Sequence, residues 1–193
     1  MLMKHLYQYL DLGLQYHADG NSVPTTYYDS GGKTDPLDSK AQHGHAVMLG
    51  RGPVCFLCRK HKNVASAGTM GKEWMALAWA VKDTVPIRGI LREMGALGAQ
   101  DMPSPLIGDN LEAVGYATKN KSTKGMKHVP AVYNLTREWV AAGEVVPLWI
   151  EGDMNPSDML SKPVARQVIT RLRGSLAGYD TDLLVFPVVK PAG

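Results

Sequence analysis

The chain has 193 residues, 45% of them hydrophobic and 20% charged, which is enough apolar material for one globular domain and excludes a fibre, a disulfide mini-protein or a disordered tail. Its 21 Lys and Arg against 18 Asp and Glu leave a formal charge of +3, so any surface for a polyanion has to be local. Two cysteines, Cys55 and Cys58, exclude a disulfide framework and favour a reducing compartment, and no run approaches the roughly 18 uninterrupted apolar residues of a membrane span.

Residues 2–10 place Leu2, Leu6, Tyr9 and Leu10 on one helical face and predict a short docking helix, whose interspersed Lys4, His5 and Gln8 are unlike a signal peptide. A turn over 17–24 leads to Thr25, Thr26, Tyr27, Tyr28 and Asp29, a strand that Ser30-Gly31-Gly32 stops on a carboxylate. Residues 44–49 and 53–59 read as two further strands joined by Gly50-Arg51-Gly52 as a hairpin. From Ser66 or Thr69 the period becomes helical, with Trp74, Leu77, Ala78, Val81 and Val85 at three- and four-residue steps; Pro86 is expected to end or kink this helix and 87–94 to resume it. A strand over 105–109 ends at Asp109, Asn110 is placed to cap a helix over 111–117, and a Lys-rich loop fills 119–127. A helix over 129–142, a buried strand over 144–150, a turn over 152–156, a short helix from Ser157 and a last helix over 164–176 complete the order.

That order, β-β-β-α-β-α-α-β-α, predicts one α/β domain with a mixed sheet and helices on its faces. Residues 1–16 read as an N-terminal helix and its connection, 24–176 as the core, and 178–193 as a tail with a β-prone patch. Acidic residues fall at element ends: Asp29 and Asp109 close strands, Glu73 lies in the first turns of the long helix, and Asp158 opens the short one. Carboxylates gathered at one place repel unless cations lie between them, and hard oxygen donors favour Mg²⁺ or Mn²⁺, ions suited to phosphodiester chemistry. An Asp after a strand is also an ordinary turn or cap residue, so spacing alone leaves both readings open.

The motifs stand in a telling order. Gly13-Leu14-Gln15-Tyr16 comes first, then a strand ending on Asp29 within YYDSGGKTDPLDSK, then the long stretch GHAVMLGRGPVCFLCRKHKNVA. Glu73-Trp74-Met75-Ala76-Leu77, Asp109-Asn110 and Ser157-Asp158-Met159-Leu160-Ser161-Lys162-Pro163 follow. From about Lys4 to about Arg173 this resembles the ribonuclease H domain of copia-type retrotransposon polyproteins. The resemblance implies a ribonuclease H-like fold: a five-stranded mixed sheet, first three strands antiparallel, with helices on both faces. It further implies a metal-dependent endonuclease that cuts the RNA strand of an RNA:DNA hybrid to a 5′-phosphate and a 3′-hydroxyl. Two Mg²⁺ ions, for which Mn²⁺ can substitute, are implied as cofactors. Carried over residue by residue, Asp29 bridges both ions, Glu73 and Asp109 complete the ion on the leaving-group side, and Asp158 helps hold the ion that carries the attacking water.

The same resemblance implies a reverse-transcriptase polymerase domain as partner, an intracellular place in the cytoplasm, a retrotransposon particle or the nucleus, and a monomer in isolation. The chain departs from the family in four places, one of them an extra residue between Asn63 and Glu73. Ser30, Gly31, Gly32 and Lys33 stand where a second Asp, a Trp and Ala-Gly are usual, Gly71 replaces an additional Glu, and GDMNPSD lacks the catalytic-loop His of many ribonucleases H.

Lys119, Lys121, Lys124, Lys127 and His128, with Asn110, are candidate nucleic-acid contacts, the alternative being a solvated loop; Met126-Lys127-His128 partly matches a Thr-Lys-His of the family. Arg59, Lys60 and Lys62 are similar candidates, and choice of hybrid would rest on backbone shape and 2′-hydroxyl groups. Cys55, Cys58 and His61 do not predict zinc, because residues three apart in a strand face opposite ways and no second cysteine pair exists. His43 and His45 read as ordinary strand residues, and Trp74, Trp79, Trp139 and Trp149 as core. The rivals to the nuclease reading are a scaffold of the same fold without chemistry and a related nuclease for DNA.

Overall fold

The computed structural model describes residues 12–17, 22–33, 40–61, 68–97, 102–118 and 135–179. The expected helix over 2–10, the Lys-rich loop, the first turn of the helix expected from 129, and the tail beyond 179 lie outside the described residues. β1 (Thr25–Lys33), β2 (Ala41–Leu49) and β3 (Gly52–Lys60) come first, followed by α1 (Gly68–Glu93), β4 (Ser104–Gly108) and α2 (Leu111–Thr118). Then come α3 (Leu135–Ala141), β5 (Val145–Trp149), a 3₁₀ turn (Gly152–Met154), α4 (Asp158–Ser161) and α5 (Arg166–Ala177). The described strands form one five-stranded sheet in the order β3-β2-β1-β4-β5. β1–β2 and β2–β3 are antiparallel, as expected, and β1–β4 and β4–β5 are parallel, which makes the sheet mixed.

The β2–β3 hairpin turns through Gly50 and Arg51, both at positive φ (54° and 63°). Two consecutive left-handed residues make the turn whose twist matches that of the strands, so the pair sets the register Leu49↔Gly52. Alternation along each strand then divides the core in two. Tyr28, Leu106 and Val145 face Trp74, Leu77 and Val81 of α1, and Tyr116 of α2. Tyr27, Ala46, Ile107 and Leu148 form a row across four strands on the other face, packed with Leu160 of α4 and Leu176 of α5. Each large apolar side chain so buried contributes about 1.5–3 kcal/mol.

α1 continues through Pro86 to Glu93, so the proline does not end the helix. Pro86 and Lys82, whose carbonyl it leaves unbonded, both lie on the exposed side, where water can serve that oxygen. Packing also holds the helix on either side: Trp74 and Leu77 before it, and Arg88 after it. Arg88 is fully buried and gives Nε to Glu144 Oε2 (3.1 Å) and Nη1 to Ser104 Oγ (2.9 Å) and the Met102 carbonyl (3.1 Å). Arg92 adds Nη2 at 2.8 Å to the same Glu144 oxygen, which fastens the end of α1 to the starts of β4 and β5. No helix among the described residues is long and apolar enough to cross a membrane.

Candidate active site

The parallel register of β1 and β4 places two carboxylates side by side. Tyr27 pairs with Ile107, so Asp29 and Asp109, each two residues further on, stand at the same level at the carboxyl end of β4: Asp109 just past that strand, and Asp29 within β1, which stays paired with β2 as far as Lys33 instead of stopping at Ser30-Gly31-Gly32 as expected. Glu73 reaches that end from the first turns of α1, and one carboxylate oxygen from each of the three residues lies within 4.8 Å of the others. Asp29 is 1% exposed, Glu73 4%, and Asp109 partly buried.

Asp158 arrives by a separate device. Asn155 is fully buried; its Nδ2 donates to the Tyr28 carbonyl (3.0 Å), and its Oδ1 accepts from Ser157 Oγ (2.6 Å) and Ser157 N (3.2 Å). These bonds fasten the loop before α4 to the strand residue preceding Asp29. Gly44, opposite Asp29 on β2, lies so close to the Leu160 backbone that any Cβ would collide with it, and Gly31 crowds the Ser161 carbonyl in the same way. α4 therefore lies flat on the glycine surface, and Ser161 Oγ donates to Asp29 Oδ2. Lys162 Nζ stands 2.9 Å from Asp158 Oδ1 and 3.7 Å from Asp29 Oδ2. Of the four expected carboxylates, three converge directly; Asp158 is joined to them through Lys162 rather than facing them alone.

Electrostatics follow from this crowding. Burial, then the charges of Asp29 and Asp109, push the Glu73 carboxyl up to about 9. Asp109 is raised by burial and by Asp29, and Asp158 is pushed up to about 6 by burial against the counteracting bond to Lys162. Burial disfavours the Lys162 charge, but Asp158, Asp29 and Asp109 outweigh it and hold the ammonium above its ordinary range. The buried Glu73 Oε2 has no hydrogen-bond partner. Hard oxygen donors in this density, one of them unsatisfied, fit a divalent cation of the Mg²⁺ type.

Two chains of known structure from one source, and one from another, share this architecture. The N-terminal RNase H domain of a Mycobacterium tuberculosis protein, solved as a fusion with maltose-binding protein, superposes with a TM-score of 0.50 at 12% identity, covering 80% of this chain and 99% of that one. LC11-RNase H1, isolated from compost by a metagenomic approach, gives 0.52 at 15% identity over 78% of this chain and 97% of its own. The chain has the ribonuclease H-like fold. LC11-RNase H1 in complex with an RNA/DNA hybrid gives 0.50 at 14% identity over 72% and 93%. No family model matches the sequence.

Within this ribonuclease H-like fold the other expected site residues fare differently. Asn110 accepts from Ala113 N (2.9 Å), so its side chain caps α2. Lys119, Lys121, Lys124, Lys127 and His128 lie outside the described residues. The reading of all four tryptophans as core is corrected for two of them. Trp149 is 43% and Trp139 37% exposed. β5 is a sheet edge, and Trp149 at its end extends past the helices to give its indole N–H to the Asp109 carbonyl (2.9 Å). Ser161 and Lys162 are functional neighbours that the sequence reading passed over, although both stand in the motif that supplied Asp158.

Proposed function

We propose that this chain is a metal-dependent endonuclease that hydrolyses the RNA strand of RNA:DNA hybrids, originating as the ribonuclease H domain of a copia-type reverse-transcriptase polyprotein. The observation that carries the reading is the convergence of Asp29 of β1, Glu73 of α1 and Asp109 at the carboxyl end of β4, with a buried Glu73 oxygen left without a partner. The sheet's fold is shared with a ribonuclease H1 that has been captured on an RNA/DNA hybrid, which supports the hybrid as substrate. The motif order from Gly13 to Pro163 supports the retrotransposon origin, and with it a polymerase domain as partner inside the cell.

The residues divide the work. Asp29, Glu73, Asp109 and Asp158 would hold two Mg²⁺ ions, or Mn²⁺ in their place, whose chemistry is stabilisation of the attacking and departing oxygens and acidification of the attacking water. Ser161 and Lys162 fix the orientation of Asp29 and Asp158, while Asn155 and Ser157 hold α4 to β1. Trp149 braces the backbone of Asp109 and so the direction of its carboxylate. The cationic stretch from Lys119 to His128 is assigned to the hybrid backbone, where 2′-hydroxyls and A-like shape distinguish substrate from DNA duplex.

The test is a substrate panel in Mg²⁺ and separately in Mn²⁺: RNA:DNA hybrid, double-stranded RNA, DNA duplex and each single strand, with product ends identified. Cutting confined to the hybrid's RNA, leaving 5′-phosphate and 3′-hydroxyl ends, is the expected result. Nicking of DNA duplex would establish the DNA-nuclease rival, and hybrid binding with every strand whole, even with the polymerase domain supplied, would establish a scaffold.

A further inference from the structure

The four carboxylates are not equally available. Asp29, Glu73 and Asp109 converge on one another, whereas Asp158 Oδ1 faces the Lys162 ammonium directly at 2.9 Å. That ammonium also stands 3.7 Å from Asp29 Oδ2, the same oxygen that accepts from Ser161. Lys162 therefore lies between Asp29 and Asp158, where the second cation of the two-metal reading would enter. A divalent cation there would draw on the same Asp158 Oδ1 and Asp29 Oδ2 oxygens that the ammonium faces, so the two compete for them. The Lys162 side chain is 38% exposed and its four-carbon stem is flexible, so it can leave towards solvent without disturbing the core.

We propose that Lys162 is an internal cation that holds the place of the second metal ion, so that the two ions bind unequally and in order. The first enters among Asp29, Glu73 and Asp109, which Lys162 approaches only at the longer distance of 3.7 Å from Asp29. The second binds only as Lys162 swings out, and Lys162 thereby sets the metal concentration at which the site is complete. In the absence of the second ion the same lysine neutralises carboxylates that would otherwise repel, which keeps α4 seated on β1 and β2.

This inference rests on the two-metal reading proposed above, and the experiment separates the failure of one from that of the other. Binding of Mn²⁺ alone is followed by electron paramagnetic resonance of the free ion and by calorimetry, for the wild-type chain, Lys162→Gln, Lys162→Arg, Asp158→Asn and Asp29→Asn. Two classes of site are expected in the wild type, the weaker absent in Asp158→Asn. In Lys162→Gln the weaker class is expected to tighten about tenfold, a coupling of ordinary size between two cation sites, while Lys162→Arg keeps the wild-type constants. Lys162→Arg retains the charge and guards against loss of fold as an explanation. An unchanged or weakened second site in Lys162→Gln overturns the place-holder role and leaves the metal site standing. Absence of any Mn²⁺ binding that depends on Asp29 overturns the two-metal reading and the place-holder with it.

Discussion

Glu73 is the residue at which function and stability conflict most directly. Its carboxyl is 4% exposed, faces two other carboxylates and has one oxygen without a partner, so the folded chain tolerates its charge only at a cost. Glu73→Gln is therefore expected to raise the metal-free melting temperature while removing hybrid cleavage, the usual trade between a strained site and activity. In the wild type a divalent cation at a hundred times its dissociation constant should stabilise by about 2.7 kcal/mol; differential scanning calorimetry with and without Mg²⁺ measures this, and Glu73→Gln should lose most of it. Ser161 acts one step removed, by holding Asp29. Ser161→Ala is expected to weaken metal affinity or activity by roughly 10–100-fold, with a rise in the Mg²⁺ requirement as its signature.

At this scale Asp109 was readable because it follows a strand of plain β composition, Asp29 because it closes the β-prone run Thr25–Tyr28 although the strand itself continues through the glycines to Lys33, and Asp158 because it stands in a recognisable motif. Ser161 and Lys162 were not, because only the glycine contacts that bring α4 down on β1 and β2 decide which side of a four-residue helix meets Asp29.

Among the elements, the joint of β2, the residue after β3 and α1 holds an unusual concentration of imidazole. His43 is buried with both ring nitrogens lacking hydrogen-bond partners, stacks on Trp79 at 5.6 Å and meets His61 edge-on at 4.8 Å. His45 beside it is bonded to Asp83 at 2.8 Å, and Arg59 and Lys82 lie over the Trp79 ring. Burial first, then the neighbouring His61, His45 and Arg59, hold the His43 imidazole down to about 3. A histidine whose folded value is depressed contributes stability above its unfolded value near 6.5, and that contribution is lost as pH falls towards the folded one. Stability is thus expected to drop by roughly 1–2 kcal/mol between pH 7 and pH 5 on account of His43, and His43→Phe should flatten that slope in urea titrations at the two pH values.

The Arg88–Glu144–Arg92 group at the far end of α1 makes a second prediction. Glu144→Gln leaves the fully buried Arg88 charge without its counter-ion and is expected to cost about 3 kcal/mol in chemical denaturation. Strand order, hairpin and helix α1 follow from alternation, from Gly50-Arg51 and from the three- and four-residue spacing. Whether Pro86 ends α1 was not legible, because its cost depends on whether the orphaned carbonyl faces water, and that is decided by packing. The exposure of Trp149 depends likewise on β5 being a sheet edge, a fact of topology that its local sequence does not carry.

For the whole molecule, a net charge of +3 coexists with a dense negative site at one end of the sheet. A polyanion approaching that site meets repulsion unless cations are present, so hybrid affinity is expected to rise with Mg²⁺ as well as to fall with monovalent salt. Fluorescence anisotropy of a labelled hybrid across both titrations distinguishes this from simple counter-ion release, which predicts only the fall. The fold was readable from element order because each element carries its own period; the site's exact partnership was not, because it depends on how separate elements meet at the sheet's end.

The central claim is that the carboxylates at that end cut RNA in a hybrid. Wild type and Asp109→Asn, each shown folded by circular dichroism, are compared on an end-labelled RNA:DNA hybrid in Mg²⁺. The account predicts cleavage of the RNA strand by the wild type and its loss in Asp109→Asn. Equal cleavage by the two proteins would contradict it, as would an intact RNA strand with the wild type even when the polymerase domain is supplied.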